Sequence, residues 1–246
     1  MKLSIIVPVY NEEQTIGEIV ERIRAVEIGD IQKEIIIAND GSDDGTERAI
    51  NGSPWRGDGR VQVHQSPINL GKGAAIRLGL RHATGDVILI QDADLELDPR
   101  EYGALLEPIV AGRAKVVYGS RFLRRERGRI RVRTRVANRL LTWMTNLLFG
   151  ARLTDMETGY KVFRREVIEG IRLRCVGFDF EPEFTAKVLL AGHRIAEVSI
   201  DYHPRRADEG KKISWTDGLD AVYVLIKCRL IGHKPPAPRP SKIANC

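Results

Sequence analysis

Apolar, β-branched runs recur along the first half of this chain, and segments of helical periodicity separate them. The runs are Leu3 to Val9, Glu34 to Ala38, Val61 to His64, Val87 to Ile90 and Val116 to Tyr118. Short, nearly continuous apolar runs are the mark of strands buried on both faces, as in a helix-covered parallel sheet. Between them, Ile16, Ile19, Val20 and Ile23 make a helical stripe, with Asn11 as the expected cap and Gln14 in the capping-box position. Ala74 to Ala83 reads as a helix entered through Asn69-Leu70-Gly71-Lys72-Gly73, and Pro99 opens another that ends near Gly112. This alternation over residues 1 to about 120 predicts an α/β fold with a mainly parallel sheet and helices on both faces.

Past that point the pattern changes. A helix with Val136, Leu140, Leu141, Met144, Leu147 and Leu148 on one face is expected, then a helix over Glu183 to Ala191 and a strand over Ile195 to Tyr202. Thr216 to Leu230 reads as a last amphipathic helix, and 233–246, with Pro235, Pro236, Pro238 and Pro240, as a disordered tail. The expected organisation is one domain over 1–232, with 1–120 and 121–232 as its two halves.

Charge is uneven. Between Arg121 and Arg139 stand nine arginines and one acid, Glu126, so this segment carries +8 and the rest of the chain −2. The segment lacks interleaved aromatics apart from Phe122 and no nucleic-acid motif is present, so no nucleic-acid partner is expected. Arginines followed by Trp143, Leu147 and Phe149 fit a helix lying on an anionic membrane surface, or a face that packs in the core. No apolar run approaches a spanning helix, and no signal peptide is expected at Met1-Lys2. Cys175, Cys228 and Cys246 are few and far apart, which fits a reducing compartment.

The polar motifs sit where the apolar runs end. They are Pro8-Val9-Tyr10-Asn11-Glu12, Asn39-Asp40-Gly41-Ser42, Asp92-Ala93-Asp94 and Gly119-Ser120-Arg121. Ligands of open α/β sheets bind outside the carboxyl ends of the strands, so these stretches predict one site for a metal-bound, phosphate-bearing molecule. Asp92, Asp94 and Glu96 share a side if the chain stays extended, and three hard oxygens suit Mg²⁺ or Mn²⁺. The same acids also fit a solvated turn, with Asp98 capping the next helix. Asp40 is placed to accept from a ribose or a base N–H, or to close an Asx turn. Lys72 lies in a glycine turn suited to an anion. That turn is no P-loop, because Gly73 stands where Ser or Thr is needed.

Together with Asn69-Leu70-Gly71-Lys72-Gly73, these motifs resemble the family 2 glycosyltransferases, inverting enzymes of the GT-A, Rossmann-like fold. Asp155-Met156-Glu157-Thr158-Gly159-Tyr160-Lys161, Gly177-Phe178-Asp179-Phe180-Glu181 and Glu209-Gly210-Lys211-Lys212-Ile213 are similar to the dolichyl-phosphate mannosyltransferase and polyprenyl-phosphate glycosyltransferase branch. The resemblance covers roughly residues 3 to 230. It implies a nucleotide-sugar-binding half over 1–120 and an acceptor- and membrane-facing half over 121–232. Donor residues would be Pro8, Tyr10, Asn11, Glu12, Asp40, Lys72 and Asp92. Metal ligands would be Asp92, Asp94 and Glu96, although the third position is often Gln in the mannosyl enzymes. Ser120, Arg121, Arg133, Arg205, Arg206 and Lys211 would lie near phosphates.

The implied reaction is inverting transfer of a hexose from a donor of the GDP-mannose or UDP-glucose type to a polyprenyl (dolichyl or undecaprenyl) phosphate. It would take place at the cytoplasmic face of a membrane, with the protein bound peripherally. A phosphate acceptor is already anionic and needs positive charge more than a base; arginine forks supply it. Asp94 and Arg121 are then the expected catalytic groups. A glycan or soluble hydroxyl acceptor would need a base, for which Asp179, Glu181 and Glu183 are candidates. A third reading is a non-catalytic nucleotide-sugar-binding subunit with a membrane partner.

Overall fold

The computed structural model describes residues 1–123, 132–204 and 215–232, without the side chains of 215–217. Arg205, Arg206, Lys211 and the expected proline-rich tail lie outside the described residues.

Seven strands form one sheet in the order β3-β2-β1-β4-β6-β5-β7. They are β1 (Lys2–Val9), β2 (Gln32–Asn39), β3 (Val61–Gln65), β4 (Val87–Ile90), β5 (Val116–Ser120), β6 (Lys161–Arg164) and β7 (Ile195–Ser199). β1 runs parallel to β2 and β4, β2 to β3, and β5 to β7. β6 runs antiparallel between β4 and β5, so it interrupts the parallel order. Neither β6 nor the short helix after it was expected from the sequence, because four residues carry too little periodicity to read. The last strand stops at Ser199, three residues short of the expected Tyr202.

The helices are α1 (Ile16–Ala25), α2 (Thr46–Asn51), α3 (Lys72–His82), α4 (Tyr102–Val110), α5 (Val132–Phe149), α6 (Arg165–Glu169), α7 (Phe180–Leu190) and α8 (Trp215–Ile231). Alternate residues of each strand feed different layers, as the period of two requires. Leu3, Ile5, Val7 and Val9 join α1 and α4 on one face. Ile6, Ile36, Ile88 and Ile90 join Ile76 of α3 and Phe180, Phe184 and Val188 of α7 on the other. A third cluster of Leu141, Met156, Ala186, Ala221, Leu225 and Cys228 lies where α5, α7 and α8 meet.

Two local expectations are corrected. Asn11 does not cap α1; Thr15 takes that position without a side-chain bond. Asn11 instead sits at φ 55, its amide donates to Asp43 Oδ1 (2.6 Å), and its Oδ1 accepts from the Asp43 N–H (3.0 Å). The asparagine is used to tie two loops, and Asn tolerates that left-handed backbone better than most residues. The single apolar face expected on α5 divides in two: Leu141, Met144 and Leu148 join the core, while Val136, Leu140 and Leu147 are exposed.

Candidate active site

The carboxyl ends of β1, β2 and β4 bring their loops to one rim of the sheet. β2 delivers Asp40, which is buried, and its carboxylate accepts from the backbone N–H groups of Leu70 and Gly71. Asp40 thereby fixes the glycine turn before α3. Gly71 sits at φ 106, and a Cβ there would lie 2.6 Å from the Val176 carbonyl oxygen, so only glycine fits. Glu12 is anchored by its N–H donating to Thr46 Oγ1 (2.8 Å), and Thr15 Oγ1 donates to its carboxylate (2.7 Å). Pro8 is buried within β1, and Tyr10 is half-buried just beyond it.

The turn fixed by Asp40 aims Lys72 inward. Its ammonium lies 2.8 Å from Asp92 of the β4 end and 2.8 Å from Glu181 of α7. Burial opposes the charge on Lys72, but the two carboxylates outweigh it and hold its pKa above the ordinary lysine range. Glu181 is buried in the first turn of α7, where the helix dipole favours an acid. One oxygen of Glu181 and one of Glu157 are buried without a hydrogen-bond partner among the described residues. Burial, then the neighbouring Glu181 charge, raises the Glu157 pKa. Lys161 of β6 is fully buried beside them, donates to the Met156 and Thr158 carbonyls, and stands 4.8 Å from the Tyr118 ring centroid. Burial lowers its pKa.

The acidic turn after β4 does not stay extended. Leu95 takes φ 60, a costly conformation for a branched residue, and Asp94 accepts from the Glu96 N–H (3.2 Å). Glu96 accepts from Tyr202 Oη (2.7 Å). The expected trio Asp92, Asp94 and Glu96 is therefore not gathered, and among the described residues no three metal-ligating side chains form a cluster. Asp92 and Asp94 still offer two hard carboxylates at the strand end. That donor set fits a cation such as Mg²⁺ or Mn²⁺, which takes one or two carboxylates and completes its shell with substrate phosphate and water. A Cβ at Gly159 would press on the Asp92 carboxylate and on Leu97, so a larger residue there would displace the Asp92 side chain.

β5 delivers Arg121. Its Nε and Nη2 donate to Asp155 at 2.7 and 2.8 Å, and its backbone N–H donates to the same carboxylate at 3.0 Å. Asn138 of α5 donates a fourth bond to Asp155 (2.7 Å). Burial resists ionisation of Asp155, yet Arg121 outweighs it and lowers the pKa. The guanidinium stacks 5.2 Å from the Tyr202 ring centroid. Tyr202 thus joins the Arg121 cation to the acidic turn through Glu96.

Several expected residues fall elsewhere. Ser120 is fully buried and bonded to Thr154 Oγ1 (2.6 Å), so it faces the interior and not a phosphate. Asp179 accepts from the N–H groups of Val176 and Gly177, and Glu183 from those of Arg174 and Cys175. Both acids therefore brace the loop before α7, which leaves Glu181 as the acid of that trio in the site. Arg133 is exposed on the first turn of α5. Sequence reading missed Gln91, which accepts from both Tyr102 and Tyr160 (2.8 Å each) and donates to the Asp92 carbonyl (3.0 Å). It also missed Asn138 and Tyr202 as site residues. Gln91 alone carried a signal, as a polar residue following four apolar strand residues.

Residues 4–172 match the family model described as glycosyl transferase family 2. The chain belongs to glycosyl transferase family 2. This family member is 30% identical to the polyprenol monophosphomannose synthase of Mycolicibacterium smegmatis over 93% of its own length and 87% of the relative's. It is 28% identical to the dodecaprenyl-phosphate galacturonate synthase of Rhizobium johnstonii over 83% of its length, spanning 60% of that relative. The chain spans from 34% to 60% of the length of several curated relatives. The fold matches glucosyl-3-phosphoglycerate synthase of Mycobacterium tuberculosis, solved with Mn²⁺, uridine diphosphate and glucosyl-3-phosphoglycerate, with a TM-score of 0.69. That likeness, at 21% identity, covers 96% of this chain and 81% of the other.

Proposed function

We propose that this chain catalyses inverting transfer of a hexose from a nucleotide sugar, of the GDP-mannose or UDP-glucose type, to a polyprenyl phosphate. The observation that carries the reading is the Arg121–Tyr202–Glu96 bridge, which sets a cation beside the acidic turn of β4. A donor diphosphate on the acidic side and an acceptor phosphate on the guanidinium then have adjacent seats. The names of the two curated relatives support polyprenyl phosphate as the acceptor.

Asp92 and Asp94 would hold Mg²⁺ or Mn²⁺, which neutralises the leaving diphosphate when bound. The chain's own groups do the rest. Asp155 and Asn138 hold Arg121 in one orientation, so little entropy is lost when its remaining N–H donors meet a phosphate. Lys72 bridges Asp92 and Glu181 and holds the two carboxylates in place. The acceptor phosphate attacks the anomeric carbon in line, and the glycosidic bond to the nucleoside diphosphate breaks with its electron pair. No general base is needed, since the nucleophile is ionised at neutral pH. We place the reaction at the cytoplasmic face of a membrane, with the protein held there peripherally. Among the described residues no helix is long and apolar enough to cross a membrane.

A hydroxyl acceptor is the second reading, and the oxygen of Glu181 that has no partner among the described residues favours it as a base. Purified protein with Mg²⁺ or Mn²⁺, labelled GDP- and UDP-sugars and a polyprenyl phosphate separates the two. Label in the lipid phase is the expected result. Metal-dependent donor hydrolysis with no lipid product would sink the proposal and leave the hydroxyl acceptor, or a missing membrane subunit.

A further inference from the structure

We propose that a phosphate binding on Arg121 drives one proton from solvent onto the Glu157 carboxylate, which makes Glu157 a positioning residue of the acceptor seat. The proposal rests on the polyprenyl-phosphate reading and deepens it, since it says how the site absorbs the charge that the acceptor brings.

Glu157 lies midway along a turn that touches both seats. Two residues before it, Asp155 holds the Arg121 guanidinium. Two residues after it, Gly159 lies against the Asp92 carboxylate. The Glu157 N–H donates to Asn138 Oδ1 (3.4 Å), and the Asn138 amide donates to Asp155. Glu157 Oε1 and Glu181 Oε2 are both buried with no hydrogen-bond partner among the described residues. A buried carboxylate oxygen without a donor is costly, and a proton relieves that cost.

The neighbouring cations are already engaged. Lys72 lies between Asp92 and Glu181, and Arg121 lies on Asp155. Lys161 is fully buried and donates to the Met156 and Thr158 carbonyls. Three cations therefore stand among four carboxylates, those of Asp92, Asp155, Glu157 and Glu181. Of the four, Glu157 is the one without an ion pair among the described residues.

The groups that act on Glu157 come from every side of the site. Burial and the Glu181 charge favour its neutral form, Lys161 and Arg121 oppose them, and Asp155 adds to the first two. The balance brings the Glu157 pKa up to about 7 from 4.5. A phosphate dianion on Arg121 offsets the guanidinium and adds negative charge, so it tips Glu157 to the protonated form. Coupling is reciprocal: the proton must strengthen phosphate binding as much as phosphate strengthens proton binding.

The test titrates the full chain, with Mg²⁺ present, with farnesyl phosphate, a short prenyl monophosphate. Calorimetry at about pH 8, in two buffers of different ionisation enthalpy, counts the protons taken up; the probe is by then a dianion. Uptake of up to about one proton is expected in the wild type and none in Glu157→Gln. Wild-type affinity should fall between about pH 7 and 9 by up to about tenfold per pH unit, the limit for one linked proton. Glu157→Gln mimics the protonated carboxyl, so it should hold its affinity over that range and bind more tightly than the wild type at the upper end. A damaged fold would not produce that gain.

Wild-type affinity independent of pH overturns the proposal. So does uptake that persists in Glu157→Gln, as it would if Lys161 took the proton. Should that variant fail to fold, infrared spectra of the wild type decide. A protonated-carboxyl band that grows as the probe binds supports the coupling, and an unchanged band overturns it. Proton-coupled binding of the probe without sugar transfer to polyprenyl phosphate would sink the acceptor reading and spare the coupling. Sugar transfer without proton uptake would do the reverse, and no probe binding would overturn both.

Discussion

Arg121 and Asp155, 34 residues apart, meet through two side-chain bonds and one backbone bond on a carboxylate with no solvent exposure. Removing the acid leaves the guanidinium, itself only 11% exposed, without its counter-charge. Asp155→Ala should cost about 3–5 kcal/mol of stability, the usual penalty for breaking a buried pair. Chemical denaturation measures it, and a loss below about 1 kcal/mol would show that the pair is solvated.

Lys72 is predicted to be as sensitive. Lys72→Met leaves Asp92 and Glu181 facing each other without the bridging ammonium. Turnover should fall at least about a hundredfold, the scale of one lost electrostatic contact in a closed site. Lys72→Arg should fail to rescue it, because a planar fork cannot replace a compact ammonium between two acids. Steady-state kinetics on both variants decide this, and a near-normal arginine variant would refute it.

Asp94→Ala should abolish Mg²⁺- or Mn²⁺-dependent turnover and leave the fold intact, since Asp94 is a half-buried turn residue outside all three apolar clusters. Circular dichroism and a metal titration of activity check both halves. A folded variant with normal activity would remove Asp94 from the metal site.

Glu34 gives a pH test away from the site. Burial resists its ionisation, but bonds from Lys2, Ser4 and Thr84 win and bring its pKa down to about 2 from 4.5. A carboxyl depressed in the folded state adds stability above its unfolded pKa and loses it as pH falls through the folded value. The wild type should therefore exceed Glu34→Gln in stability at neutral pH, and the gap should close between about pH 4.5 and 2. A gap constant across that window would contradict the assignment.

Much of the site was legible because strand ends are legible. Continuous apolar runs mark buried strands, and the polar residues that follow them must emerge at the sheet's carboxyl rim. That logic put Asp92, Asp94 and Arg121 just past β4 and β5, and the glycine turn before α3 pointed to Lys72. It failed for Ser120, which ends β5 but bonds Thr154 inside the fold, and the choice among the acids before α7 was not legible either, since Asp179 is taken up by backbone N–H groups. It also failed for Glu96, because one residue at positive φ, Leu95, breaks the extended geometry that alternation assumes.

By itself the sequence determined the α/β class, the places of the first five strands along the chain and the family resemblance, because these depend on short-range periodicity and on motifs a few residues long. Only the tertiary structure decided that β6 enters antiparallel between β4 and β5. It alone decided that Asp155 belongs to Arg121 and that Tyr202 ties Arg121 to Glu96. Those pairings join residues dozens of positions apart. A buried charge accepts whichever partner the packed elements bring within hydrogen-bond reach, and no local pattern encodes that distance.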